Sequence, residues 1–154
     1  TLAKLDDSYH LIIAGEAYGD FVKYTRMMDQ LRISDRCHVF ERYIDDHEVP
    51  HFFSASDVCM LTYKSATQSG ISGISQHFEL PTIATNVGGL AESIIPGETG
   101  YVVANVDPIE ISKTIEKYFL DNKKETFRGN IGLENKANSW ESFSKTLLDF
   151  IDTI

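Results

Sequence analysis

Apolar residues along this chain fall in short blocks, each followed by glycine or small polar residues and then by a stretch in which apolar positions recur at helical spacing. The first block, His10-Leu11-Ile12-Ile13-Ala14-Gly15, is continuous and glycine-ended, which predicts a strand buried on both faces. Phe21, Tyr24, Met28 and Leu31, set among Lys23, Arg26, Asp29 and Arg32, predict an amphipathic helix between Asp20 and Ile33. A second strand is expected at Cys37-His38-Val39-Phe40, then a short helical piece from Asp46 to Phe53 limited by Pro50, then a third strand from Asp57 to Tyr63.

After Tyr63 the composition turns small and polar, Lys64-Ser-Ala-Thr-Gln-Ser-Gly70, and a helix starting near Ser69 runs through Ile71 to Phe78. Strands are predicted at Pro81 to Thr85 and Tyr101 to Val103, separated by a Gly88-Gly89 turn, a short helix from Leu90 to Ile95 and the loop Pro96-Gly-Glu-Thr-Gly100. The tail is helical. Asp107-Pro108 reads as an N-cap with proline at the first helical position, followed by one apolar stripe of Ile111, Ile115, Tyr118 and Phe119. Ser139-Trp140-Glu141-Ser142 opens the last helix, with Phe143, Leu147, Phe150 and Ile151 expected on its buried side.

Strands alternating with helices, without hairpin signals, imply an α/β architecture: a Rossmann-like, three-layer parallel sheet with helices on both faces. The length of 154 residues fits a single domain, 1–154, with its own core. A composition that is 42% hydrophobic and 24% charged is that of a soluble globular domain, and no apolar run reaches the roughly 20 residues of a transmembrane segment. The start lacks the basic and apolar regions of a secretory signal, so a cytoplasmic location is the expectation. A net charge of −9 excludes a general nucleic-acid surface, because such surfaces need clustered Lys and Arg. Cys37 and Cys59 lack the close pairing of a metal or redox motif and read as buried thiols.

In open α/β sheets ligands bind beyond the carboxyl ends of the strands. There Thr67, Gln68, Ser69 and Gly70 sit at a helix start, where free N–H groups and the helix dipole favour an anion such as phosphate, unless they merely cap the helix. The Gly15–Gly19 loop lacks the Gly-x-Gly-x-x-Gly of a dehydrogenase dinucleotide site, and Asn86-Val-Gly-Gly-Leu90 is a second glycine turn that either lines a ligand or only reverses the chain. His47-Glu48-Val49-Pro50-His51 matches the letters of a zinc-protease motif, but Pro50 interrupts the helix that motif requires, so no metal site is assigned.

From His10 to about Phe150 the chain resembles the C-terminal domain of group 1 (family 4) retaining glycosyltransferases of the GT-B fold. The resemblance is carried by Leu11-Ile-Ile-Ala-Gly15, Val39-Phe40 with Tyr43-Ile44, Phe53-Ser-Ala-Ser-Asp-Val58, and above all Leu80-Pro-Thr-Ile-Ala-Thr-Asn-Val-Gly-Gly-Leu90. Glu92, Gly97, Thr99-Gly100-Tyr-Val-Val103 and Ser139-Trp140-Glu141 extend it. It implies the donor-binding half of an enzyme, bacterial and of polysaccharide biosynthesis, that transfers a hexosyl group from a nucleoside-diphosphate sugar with retention and without a further cofactor. The first strand, with its Arg/Lys loop, and the acceptor domain would lie outside this chain, which alone would not turn over. Through that other domain the protein would meet a glycan or lipid acceptor, at the inner membrane surface where the acceptor is a lipid.

By the same resemblance Ser69, Gly70 and Ile71 would hold the diphosphate, Thr67 and Gln68 the sugar or phosphate, and Arg42, Tyr43 and Ile44 the base or ribose. Gly15, Gly88 and Gly89 would line the cleft. The family's two donor-binding glutamates fall here on Ala66 and Ile74, whose side chains cannot hydrogen-bond, and no catalytic residue is assigned. That departure keeps a second expectation open, a non-catalytic nucleotide-sugar-binding or protein-interaction module of the same fold. A sugar-nucleotide epimerase is a third, weaker alternative, since its catalytic carboxylates and histidine have no identifiable places in the sequence.

Overall fold

The computed structural model describes residues 1–151 and 153. Among them the chain runs β1 (Leu11–Ala14), α1 (Val22–Gln30), β2 (Cys37–Phe40), α2 (Val49–Ala55), β3 (Cys59–Leu61), α3 (Gly70–His77), β4 (Thr82–Thr85), β5 (Gly100–Val103), α4 (Pro108–Leu120), α5 (Lys124–Ala137) and α6 (Trp140–Ile151). All ladders are parallel, as an alternation of strand and helix requires. They form two sets, β1–β2 and β3–β4–β5, so the expected single sheet is divided, and β1, β2, β3 and β5 each keep one edge without a ladder among the described residues.

The core explains why β4 is central. Its four residues are all buried, and alternate side chains point to opposite faces. Ile83 joins Leu5, Val103, Ile111, Ile115, Tyr118 and Phe127 on one side, whereas Ala84 joins Leu61, Leu90 and Ile94 on the other, so apolar layers cover the sheet on both faces. Tyr118 is buried yet satisfied, its hydroxyl donating to the Asp57 carbonyl at 2.8 Å. That burial pushes the phenol well above its ordinary range.

The β1–β2 pair is attached rather than enclosed. Buried Arg36, just before β2, donates through Nη1 to the Asp6 carbonyl at 2.6 Å and to the Leu5 carbonyl at 3.3 Å, tying β2 to the first turn of the chain. The α2 aromatics link the two sets, Phe52 against Phe40 of β2 and Phe53 against Phe78 after α3.

Several expectations are corrected. The β1 strand is only half-buried, because a hydrogen-bonded neighbour flanks it on one side alone. No residue of α1 is buried, and Tyr24 and Leu31 are exposed. Cys37 and Cys59 are free but only partly buried; burial still raises the Cys59 thiol, against a hydrogen bond from Ser75 that lowers it. The α6 stripe faces outward, with Phe143, Leu147, Phe150 and Ile151 exposed by 58%, 47%, 61% and 56%. Helix α5 is a separate element within the helical tail and places Phe127 and Ile131 in the core.

Candidate functional site

The site is built at the carboxyl end of β3 and β4, where two glycine-bearing loops are locked together. The Thr85 hydroxyl, fully buried, donates to the Tyr63 carbonyl at 2.7 Å and so fixes where the loop after β3 departs. That loop is met by the Gly88–Gly89 turn, whose Gly89 N–H donates to the Thr67 carbonyl at 2.7 Å. The approach is too close for any side chain at Gly88: a Cβ there would lie 1.8 Å from the Ala66 carbonyl oxygen, and the residue holds φ +51°. Only glycine fits this junction.

Ser69 then caps α3. Its backbone is extended, and its hydroxyl accepts the Ile71 N–H at 3.3 Å, which is how serine ends a loop and starts a helix. The Ser72 hydroxyl donates to the Ser69 carbonyl at 2.6 Å, closing the first turn. Gly70 finds no protein acceptor for its N–H among the described residues, and space is open around it, since a Cβ there would meet nothing within 4 Å.

Between this turn and the following short 3-10 helix (Gly88–Ser93) lies an open cleft of about 420 Å³. One wall is Gln68, Ser69, Gly70, Ser72 and Gly73, and the other is Gly89, Glu92 and Ser93. The polar groups available to a ligand are therefore the N–H groups and positive end of α3, serine hydroxyls, one amide and one carboxylate. That set suits an anion beside hydroxyl groups better than an apolar ligand.

Of the residues singled out in sequence, Gln68, Ser69, Gly70 and Gly89 line the cleft, while Thr67 and Gly88 form the backbone junction behind it. Ile71 is 40% exposed and does not line it. Gly15 lies at the end of β1, donating its N–H to the Phe40 carbonyl at 3.2 Å, and it too is outside the cleft.

Arg42, Tyr43 and Ile44 follow β2 and are likewise outside it. Both terminal nitrogens of Arg42 hold Glu48, and Nη1 also donates to the Tyr43 carbonyl at 2.9 Å, so its guanidinium is committed within its own loop. The Arg42 side chain, with a hydrogen bond from the Asp45 N–H, holds the Glu48 carboxyl down at about 2. Glu48 is thus the partner of Arg42, and His47 lies in the turn ahead of α2, so the zinc-like letters do not share one helix face. Glu92, which the sequence singles out only as part of the resemblance, and Ser93, which it does not single out, also line the cleft.

Ala66, where a carboxylate was expected by resemblance, packs against the Leu61, Ala84, Leu90 and Ile94 cluster instead. No helix among the described residues is long and apolar enough to cross a membrane.

Comparison with known proteins finds glycosyltransferases. The mouse alpha-1,3/1,6-mannosyltransferase ALG2 is 30% identical over 146 residues, covering 90% of this chain and 34% of that protein. The Staphylococcus aureus capsular polysaccharide biosynthesis glycosyltransferase CapM is 35% identical over 86 residues, covering 50% of this chain and 22% of its own. The chain thus spans about a third of the mouse relative's length. Among solved structures, Anabaena HepE in complex with UDP superposes with a TM-score of 0.79 at 16% identity, covering 99% of this chain and 43% of that one. HepE has also been solved with UDP-glucose. The profile of the family described as glycosyl transferases group 1 matches residues 1–151, and with a mixed α/β fold that matches GT-B structures, the chain belongs to that family.

Proposed function

We propose that this chain is the donor-binding domain of a glycosyltransferase, holding a nucleoside-diphosphate sugar for transfer of its hexosyl group, with retention, to a glycan or lipid acceptor. The observation that carries the reading is the junction itself: two separate glycine loops are locked by backbone contacts so that both face one cleft at the N-terminus of α3. The diphosphate lies against the Ser69 and Gly70 N–H groups, the Ile71 N–H being held by the Ser69 hydroxyl, where the helix dipole favours negative charge without any cluster of basic side chains. Gln68 faces the sugar from the cleft wall, Thr67 approaches it from the junction, and Tyr43, exposed and not committed as Arg42 is, lies along the base. The acceptor site and the groups that neutralise the departing diphosphate belong to another part of a longer protein, so the domain binds but does not turn over. The Staphylococcus aureus relative named for capsular polysaccharide biosynthesis supports a bacterial polysaccharide as the product, with the protein acting on the cytoplasmic side and needing no small molecule beyond the donor.

One observation favours a second reading. Ala66 is a packed apolar residue, not a vacant polar position, so a domain that binds the donor or a protein partner without supporting transfer fits equally well.

Calorimetry with UDP, GDP and their glucose and mannose conjugates tests the donor reading. The decisive variant is Gly70→Asp. The open space and ordinary φ at Gly70 admit a side chain, and an acidic residue in the first turn favours the helix, so the fold survives while phosphate is repelled. Millimolar or tighter binding, lost in the variant, is expected. Binding that the variant retains would remove the diphosphate from α3.

A further inference from the structure

Glu92 is the only ionisable residue lining the cleft, and no hydrogen bond or ion pair within the described residues engages its carboxylate. Its position is nonetheless fixed. Leu90, two residues earlier, is fully buried, the Ser93 hydroxyl donates to the Leu90 carbonyl at 2.9 Å, and the Ser93 carbonyl accepts from Gln76 Nε2 at 2.7 Å. The backbone on which Glu92 stands is therefore anchored to the core and to α3.

The surroundings of Gly89 show where the carboxylate lies. A Cβ at Gly89 would lie 2.9 Å from the Thr67 carbonyl oxygen, 3.4 Å from Cγ of Gln68 and 3.6 Å from Oε2 of Glu92, so the two side chains close on the same small volume from opposite loops. A carboxylate accepts hydrogen bonds and an amide both donates and accepts, which together match neighbouring hydroxyls on a sugar ring. The same carboxylate opposes a phosphate, so the anion belongs toward the α3 turn and the hydroxyls toward Glu92. A lone carboxylate beside a neutral amide is too poor a ligand set for a divalent cation, which takes six or more oxygens.

Resting on the donor reading above, we infer that Glu92, paired across Gly89 with Gln68, accepts the hydroxyls of the transferred sugar and sets which sugar is held. This residue supplies from the short helix after β4 a carboxylate that positions 66 and 74, as Ala66 and Ile74, do not provide.

The test compares free nucleotides with their sugar conjugates on the 154-residue chain, in wild type, Glu92→Gln and Gln68→Ala. UDP and UDP-glucose, with GDP and GDP-mannose beside them, are titrated by calorimetry, and thermal unfolding checks that each variant is folded. Loss of a charge-assisted hydrogen bond to hydroxyl is expected to weaken the preferred conjugate by about tenfold or more in Glu92→Gln, with the free diphosphate bound as in wild type. Equal losses for diphosphate and conjugate, or no loss for either, would overturn the assignment while leaving the donor domain standing. Wild type that binds none of the four would bring down the donor reading and this inference with it.

Discussion

Two glycines in the site obey opposite rules. Gly88 sits at φ +51° with the Ala66 carbonyl 1.8 Å from where a Cβ would be, whereas Gly70 has ordinary φ and nothing within 4 Å. Gly88→Ala is expected to cost about 2 kcal/mol or more, because the backbone on both sides of the junction must shift. Gly70→Ala is expected to stabilise α3 by about 0.5 kcal/mol through loss of unfolded-state freedom. Urea unfolding of the two variants measures both signs, and similar values for the pair would contradict the junction described here. Arg42 and Glu48 give a prediction in pH. The Glu48 carboxyl lies at about 2 in the fold against an ordinary 4.5, a depressed value, so its contribution is complete above 4.5 and fades as pH falls toward 2. The difference in unfolding midpoint between wild type and Arg42→Ala should therefore hold constant from neutral pH to about pH 5 and shrink at lower pH. Because the pair is at the surface, the effect should also decrease with added salt.

Elements whose ends carry their own chemistry were legible in the sequence. Asp107 caps α4 as its position before Pro108 implies, accepting from the Ile109 and Glu110 N–H groups at 3.3 Å and 3.2 Å, and Ile111, Ile115 and Tyr118 are buried as their spacing requires, whereas Phe119 of the same stripe is exposed. Ser69 capping α3 and Ser139 accepting the Ser142 N–H belong to the same class. Helix α5 was harder to read because Gly129 and Gly132 dilute its pattern, leaving Phe127 and Ile131, one turn apart, as the signal of a buried face. Its energetic weight is large: Phe127 is fully buried, with Tyr101 5.5 Å away ring to ring. Phe127→Ala should cost about 3–5 kcal/mol by the cavity it leaves, a loss that thermal or urea unfolding would register directly. Of the candidate site, the Ser69 cap and the Gly88–Gly89 turn were legible for a similar reason, whereas Gly15, Arg42, Tyr43, Ile44 and Ile71 fall outside the cleft. A cap and a glycine turn are local, whereas the membership of Glu92 depends on how the turn after β4 meets the loop after β3, a contact between distant parts of the chain. Arg42 shows the converse, since sequence presents its charge but not the Glu48 that consumes it.

At the scale of the molecule, apolar pattern states that a face wants covering and is silent on what covers it. The stripe of α6 has helical spacing from Trp140 through Phe143 and Leu147 to Phe150 and Ile151, yet all five are exposed, Trp140 by 82%. Four strand edges, on β1, β2, β3 and β5, add backbone groups without ladder partners among the described residues. Contiguous apolar surface and open edges both favour association in water, by burial in one case and by strand pairing in the other. The chain taken alone is therefore expected to self-associate, with a sedimentation coefficient that rises with concentration, despite a net charge of −9 that opposes contact. The two surfaces separate experimentally. Phe143→Ser with Leu147→Lys removes apolar area from an exposed face, so folding stability should change little while association through α6 is lost. If the sedimentation profile is unchanged by that pair, the strand edges carry the contact, and added salt, which screens the repulsion without supplying a strand, should strengthen it.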